Sequence, residues 1–401
     1  MKLNPRKTDD INYNKKLILN CVRQFEPISR AEIYKKLQIS KPTVSSIAEE
    51  LIKEGWVYES VIARKHTKSG RKPTYLRFNE KAFYVLGVDI GGTNVLIAIS
   101  DLNGNIICEK HFDTAAYLEN GFLKQLRRVV FEMLSTCKVA KNRILGMGVG
   151  VPGITDNELG VVIDAPSLGW HNFPLKEKAM ALFDFPVIID NDVNVSALGE
   201  QWLGAAKQKD NVILIAIGTG VGSGIVIDGK LYRGTAWGAG EIGYMVTGTQ
   251  QSRPQNGMPP YKGYGYLESR VGGAAIKQHV YKELLQLTTH PLFPKKENLS
   301  VSEIFALAMK GDGLCKKVVL EAIEHLSLAI VNAVVLLNPD VVILGGGLSK
   351  SGHWFLPIIE RTVKEFVPFD TEICLTELAD RSGVIGAISL LLRERDTVLK
   401  L

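Results

Sequence analysis

Three times in this chain a run of branched apolar residues breaks off into glycine. Val85-Leu86-Gly87-Val88-Asp89-Ile90 runs into Gly91-Gly92-Thr93-Asn94. Val212-Ile213-Leu214-Ile215-Ala216-Ile217 runs into Gly218-Thr219-Gly220-Val221-Gly222-Ser223-Gly224. Val341-Val342-Ile343-Leu344 runs into Gly345-Gly346-Gly347-Leu348. Such apolar runs are buried strands. After the first two, another strand follows (Val95–Ser100 and Ile225–Ile227), and each pair closes in a hairpin turn, Asp101–Asn105 and Asp228-Gly229-Lys230. Taken singly, each is an ordinary glycine turn. Occurring three times, they predict a duplicated α/β lobe with a ligand cleft between the copies.

Glycine lets backbone N–H groups come close to phosphate oxygens. Gly91, Gly92 and Thr93, with Gly218, Thr219 and Gly220, are therefore expected at nucleotide phosphates, and Asp89 is placed to hold Mg²⁺ through water. Gly345, Gly346 and Gly347 are expected beside a base or ribose.

The first eighty residues differ in character. They hold 17 Lys+Arg against 9 Asp+Glu, whereas the rest of the chain is nearly balanced, within a whole-chain net charge of +6. That asymmetry fits a nucleic-acid-binding head on a neutral body. Leu17, Ile18, Cys21, Val22 and Phe25 lie on one helical face that Pro27 ends. Ser29 and Glu32 form a capping box before a short helix. Ser40 caps a third helix with Pro42 in its first turn, and Val44, Ile47, Ala48 and Leu51 form its buried stripe. The two short helices make a helix-turn-helix, and Lys41, Thr43, Ser45 and Ser46 are expected at DNA. A three-helix bundle that binds protein shares this pattern. The next segment favours DNA: strands at Trp56–Val61 and Tyr75–Phe78 flank Arg64–Pro73, a wing whose Lys68, Arg71 and Lys72 suit phosphates or the minor groove.

Five scattered cysteines, Cys21, Cys108, Cys137, Cys315 and Cys374, show no metal spacing, so each is expected to act as a small core hydrophobe. The start, Met1–Lys7, lacks an apolar stretch of signal length, and no run of about 18 apolar residues occurs, so a cytoplasmic protein without a membrane partner is expected.

The body resembles the ROK family (repressors, open reading frames and kinases). The resemblance rests on Asp89-Ile90-Gly91-Gly92-Thr93, Gly148-Val149-Gly150-Val151-Pro152-Gly153, Ala165-Pro166-Ser167-Leu168-Gly169-Trp170, Asp190-Asn191-Asp192-Val193-Asn194, Ile217-Gly218-Thr219-Gly220-Val221-Gly222 and Gly240-Glu241-Ile242-Gly243. Head and body together are similar to the xylose- and N-acetylglucosamine-type repressors of that family. The resemblance implies an α/β chain: a winged helix-turn-helix (residues 1–80), then a two-lobed actin/hexokinase-like (ribonuclease H-like) ATPase fold. Its first lobe spans 81–195, rejoined by a C-terminal helix at 382–401, and its second spans 196–381.

The resemblance further implies Asp192 as the base that takes a sugar hydroxyl proton in the kinases. It implies Asn191, Asp192, Glu241, Tyr244 and Glu268 around the sugar. Operator DNA, a sugar effector, a homodimer or higher homo-oligomer, and ATP with Mg²⁺ are the implied partners. Kinases of the family carry a histidine where this chain has Tyr244, and cysteines where it has none between 246 and 266. Without thiolate or imidazole ligands, no zinc is expected, and the insert 250–264 is expected to form an ordered loop. The leading expectation is a sugar-released repressor. A sugar kinase carrying a DNA-binding head is the alternative.

Overall fold

The computed structural model describes residues 5–61, 74–118, 121–248 and 265–394, apart from the side chains of residues 5–12. The wing residues Lys68, Arg71 and Lys72 and the insert 250–264 lie outside the described residues.

The head comprises α1 (Pro5–Phe25), β1 (Ile28–Ser29), α2 (Arg30–Leu37), α3 (Lys41–Lys53), β2 (Val57–Val61) and β3 (Thr74–Phe78). Both predicted caps form. Ser29 and Glu32 bond reciprocally, and the Ser40 hydroxyl accepts from the Thr43 backbone N–H. The helix-turn-helix closes at Gln38, which is left-handed with φ 54°. The strands form a three-stranded antiparallel sheet ordered β1-β3-β2.

The first lobe contains β4 (Tyr84–Ile90), β5 (Asn94–Ser100), β6 (Ile106–Asp113), α4 (Ala115–Leu118), α5 (Phe122–Thr136), β7 (Ile144–Val151), β8 (Ile154–Asp156), β9 (Val161–Ala165), β10 (Trp170–Phe173), α6 (Leu175–Met180), β11 (Val187–Asn191) and α7 (Asp192–Leu203). The second contains β12 (Val212–Ile217), β13 (Val221–Ile227), β14 (Lys230–Tyr232), α8 (Glu268–Val271), α9 (Gly273–Gln286), α10 (Val301–Met309), α11 (Gly313–Leu337), β15 (Val341–Gly345), α12 (Gly352–Phe366) and β16 (Glu372–Leu375), followed by α13 (Ser382–Glu394).

The duplication read from the glycine turns is complete at the level of topology. One sheet is ordered β11-β7-β4-β5-β6 and the other β14-β13-β12-β15-β16. Each is an antiparallel three-strand meander extended by two parallel strands. Each sheet's last strand leads to a helix that crosses to the other lobe. α7 packs its Val195 and Leu198 with Leu214 and Val226 of the second sheet, while α13 lies on β4 and β7 of the first. The two helices cross at glycines. A Cβ on Gly386 would lie 1.6 Å from the Val195 carbonyl oxygen, and one on Gly199 would lie 2.4 Å from that of Ser382. Only hydrogen fits at that crossing.

The head does not hang from a linker. Its core residues Trp56, Leu76 and Phe78 belong to one cluster with Val85 and Leu102 of the first lobe and Ile388, Leu391 and Leu392 of α13. Trp56 and Phe83 also meet ring to ring, with centroids 4.6 Å apart. α11 is long and apolar enough to cross a membrane, but it is a core helix, packed against α9, α10 and α12.

One expectation is corrected. Cys108 on β6 and Cys137, which caps α5, are joined by a disulfide rather than acting as separate core hydrophobes. They lie 29 residues apart in sequence, and only the packing of α5 on β6 brings them together. Cys21 and Cys315 are free and buried, and Cys374 is free and half-buried.

Candidate functional site

The site begins where β11 becomes α7. Asn191 is the N-cap: its side-chain oxygen accepts from the Val193 and Asn194 backbone N–H groups at 2.9 and 3.0 Å. Its amide nitrogen donates to the Gly153 carbonyl at 3.0 Å. The side chain expected to read sugar is therefore mostly occupied in shaping the site, with one amide hydrogen left to donate. Asp192 is the first helical residue and accepts from the Val193 N–H at 2.9 Å. Burial pushes its carboxyl up to about 6, against the pull of the backbone N–H groups. Asp89, at the end of β4, is pushed up to about 7 by burial and by Asp192 beside it. Among the described residues no hydrogen-bond donor offsets that push. An added Cβ on Gly383 would touch Asp89 at 2.3 Å, so α13 begins against this carboxylate.

The second lobe supplies the opposite wall. Glu241 precedes a turn of 3-10 helix at Ile242–Tyr244. Its carboxyl is raised by burial, then by Asp192 and Glu268. Glu268 opens α8 and accepts from the Val221 N–H at 2.9 Å; burial raises it too. Tyr244 is mostly exposed, and its phenol is raised by burial and by Glu241, Glu268 and Asp164. The structure thus brings Asp192, Glu241, Glu268 and Tyr244 together across the cleft, with Asp89 behind Asp192. Carboxylates converging from two lobes, short of donors, suit a ligand rich in hydroxyl donors.

The glycine loops divide between the lobes. Gly91, Gly92 and Thr93 follow Asp89; the Gly91 N–H donates to the Asn94 carbonyl, and Gly92 faces Ser167. Gly218, Thr219 and Gly220 form the β12–β13 turn, against the start of α9, whose Gly273 N–H donates to the Gly218 carbonyl at 2.9 Å. Gly345 ends β15. Gly346, at φ +79°, presses on the Ile217 backbone, which sets the second and third loops side by side. Gly218 and Gly347 have no atoms within 4 Å of an added Cβ, so open space lies over both. An ATP–Mg²⁺ group would fit these residues: Asp89 and Asp192 are half-buried carboxylates, which are hard oxygen donors, and the glycine loops leave room for phosphates and ribose.

Sequence reasoning missed two carboxylates beside the site and a third that braces α7. Asp190 is buried and bonded to Arg233, and Asp164 lies 2.7 Å from His171 Nδ1. Glu200 is fully buried on α7 and accepts from Thr376, Ala205, Glu377 and Leu378. Only the Asp190 position, inside an Asp-Asn-Asp run, carried any signal.

On the head, Lys41 and Ser46 are exposed and Thr43 and Ser45 partly so, all on the face of α3 opposite its buried stripe. The Thr43 hydroxyl is bonded to that of Ser40 at 2.7 Å, which ties it to the helix cap.

Residues 85–394 match the model of the ROK family, and residues 11–61 match that of the MarR family. The chain belongs to the ROK family. It is 33% identical over 393 residues to the xylose repressor of Caldicellulosiruptor bescii, covering 95% of this chain and 96% of that one. It is 31% identical over 327 residues to a glucokinase of Halalkalibacterium halodurans, covering 79% of this chain and 97% of the relative. A solved ROK family transcriptional regulator, described as a homolog of the E. coli MLC protein, superposes with a TM-score of 0.78 at 24% identity, covering 95% and 96% of the two chains. The ROK chain described here therefore carries a MarR-type winged helix on an actin/hexokinase-like body. The glucokinase match covers 79% of this chain, whereas the xylose repressor match, at 95%, takes in head and body together.

Proposed function

We propose that this ROK protein is a cytoplasmic, homo-oligomeric repressor that binds operator DNA through its head and releases it when a sugar enters the cleft between the lobes. The carrying observation is the shared core. Trp56, Leu76 and Phe78 of the head pack with Ile388, Leu391 and Leu392 of α13, and α13 starts against Asp89 in the cleft. A ligand that moves the lobes must disturb the seat of the head. The full-length similarity to a xylose repressor makes D-xylose the first effector to try. Domains at 1–80, at 81–195 with the C-terminal helix, and at 196–381 are the units of this reading.

Asn191, Asp192, Glu241, Tyr244 and Glu268 form the sugar site. Asp89, Gly91–Thr93, Gly218–Gly220 and Gly345–Gly347 form a nucleotide site for ATP and Mg²⁺. Lys41, Thr43, Ser45 and Ser46, with the wing's Lys68, Arg71 and Lys72, meet DNA. Specific reading by one short helix needs two half-sites related by protein symmetry, so the operator is palindromic. No zinc site forms part of the reading, because Tyr244 stands where a ligand histidine is needed.

A thermal-shift screen of monosaccharides, with and without ATP–Mg²⁺, identifies the ligand; a hundredfold excess over Kd stabilises by about 2.7 kcal/mol. Arg71→Ala with Lys72→Ala is expected to weaken operator binding and to lower the salt slope by about one for each phosphate no longer neutralised. Unchanged affinity in gel shifts would refute the wing assignment.

A second reading, phosphorylation of the bound sugar, is favoured by one observation. Asp192 opens α7 opposite Glu241, and burial pushes its carboxyl up to about 6, toward the range that suits a general base. In that reading Asp192 takes the hydroxyl proton, Glu241 and Glu268 hold the ring, and ATP supplies the phosphoryl group. Sugar-dependent ADP release by the wild type, lost in Asp192→Asn, decides for it.

A further inference from the structure

We infer that Arg233 is a positioning residue that couples the sugar site to the DNA-binding head. It follows β14 in the second lobe, and its guanidinium holds two carboxylates at once. Nε donates to Asp190 Oδ2 at 2.7 Å, and one terminal nitrogen donates to Glu394 Oε1 at 2.6 Å. Asp190 is buried in the first lobe directly before Asn191 and Asp192. Its other oxygen accepts from the Asn191 N–H at 2.7 Å and from the Asn194 amide at 2.9 Å. The strand end that presents Asn191 and Asp192 to the sugar is thus held by Arg233.

The same arginine reaches the other wall. Its carbonyl accepts from the Ala239 N–H at 3.1 Å, closing a loop that runs straight into Gly240 and Glu241. Glu394, the third partner, ends α13, whose Ile388, Leu391 and Leu392 pack with the head. Arg393, next to it, donates to Gln201 of α7 at 2.9 Å and to the Gly229 carbonyl at 3.2 Å. One planar fork therefore joins both walls of the cleft to the helix beneath the head. A planar fork holds two carboxylates with its donors at fixed angles, whereas an ammonium rotates on a flexible stem and fixes no such angle. When a sugar draws the walls together, Arg233 passes the displacement to the end of α13.

This rests on the reading that sugar in the cleft releases operator. Its test is the coupling ratio, the operator Kd with saturating D-xylose divided by that without it. The operator is a duplex selected from a random library by the wild-type protein. Glu394→Gln is the principal variant, because Glu394 is at the surface and outside the sugar site, so its loss leaves the fold intact. The wild-type ratio is expected to be at least about fivefold. In Glu394→Gln it is expected to fall below about twofold, with xylose affinity and sugar-free operator affinity each within about twofold of wild type. Arg233→Lys, keeping the charge and losing the fork, is expected to show the same uncoupling. A purely structural role moves the two affinities or the melting temperature and leaves the ratio alone. Wild-type coupling that persists in both variants overturns this inference alone. A wild type that D-xylose and every other monosaccharide leave on the operator overturns it together with the sensing reading.

Discussion

The two lobes are one topology built twice, yet the carboxylates near the ends of their sheets receive very different numbers of donors. In the first, the carboxyl end of the sheet bears Asp89 and Asp192, half-buried beside each other and pushed up to about 7 and about 6. In the second, the position before the glycine turn that corresponds to Asp89 is Ala216, paired with Gly222. The carboxylate at that end, Glu200, takes donors from Thr376, Ala205, Glu377 and Leu378. Glu200, which α7 carries from the first lobe to the end of β16, is fully buried, so burial alone does not mark a site. The supply of donors does: a saturated carboxylate such as Glu200 is structure, whereas Asp89, with no donor among the described residues, and Asp192, with few, keep acceptor capacity for a cation or for hydroxyl donors. The second lobe brings its carboxylates to the cleft from outside the sheet, Glu241 just before a 3-10 turn and Glu268 at the start of α8.

The strongest way to break this comparison is at the joint between the lobes. Gly386→Ala is expected to force α7 from α13, destabilising the protein by about 3 kcal/mol or more, because the new methyl meets backbone that cannot rotate away. Gly218→Ala, with open space above it, is expected to change stability by less than about 1 kcal/mol. Chemical denaturation of the two variants side by side checks both. Equal stability would mean that the helices are not locked at their crossing.

Ligand binding gives the next largest effect. Asp192→Asn is expected to weaken sugar binding about tenfold, the loss of one charge-assisted hydrogen bond. Glu200→Gln, at the saturated position, is expected to lower stability and to leave sugar affinity within about threefold, because Glu200 has no free acceptor to offer. Calorimetry with the sugar found by thermal shift separates these outcomes.

The same comparison can be sharpened through pH dependence. Asp89 and Asp192 have folded values raised above those of the unfolded chain, so the sugar-free folded protein binds more protons between roughly pH 4 and 7. Stability from this pair is full at or below the unfolded value and is lost as pH rises through about 6 and about 7. The melting temperature should therefore decline across that window, less steeply in Asp192→Asn and in Asp89→Asn. A profile identical to wild type in both variants would show that the pair is ionised without penalty.

Much of this was legible in the sequence. Local chemistry determined the caps at Ser29 and Ser40, the buried stripe of α3, the glycine turns after β4, β12 and β15, and the two hairpins. These depend on residues within a few positions of one another, where periodicity and turn preference act directly. The motifs also named Asp192, Glu241 and Glu268. What pairing across the chain decides was hidden. The Cys108–Cys137 disulfide, the Asp190–Arg233–Glu394 bridge and the four donors on Glu200 join residues up to 178 positions apart, and no local pattern records such distances. Asn191 shows the division within one residue: its place in the motif gave the expectation of a sugar contact, and only the folded chain turned most of its amide to capping α7 and holding Gly153. The union of head and body has the same origin. The sequence shows a basic head and a balanced body, but a common core forms only when α13, from the far end of the chain, returns to fill the space beneath Trp56 and Phe78.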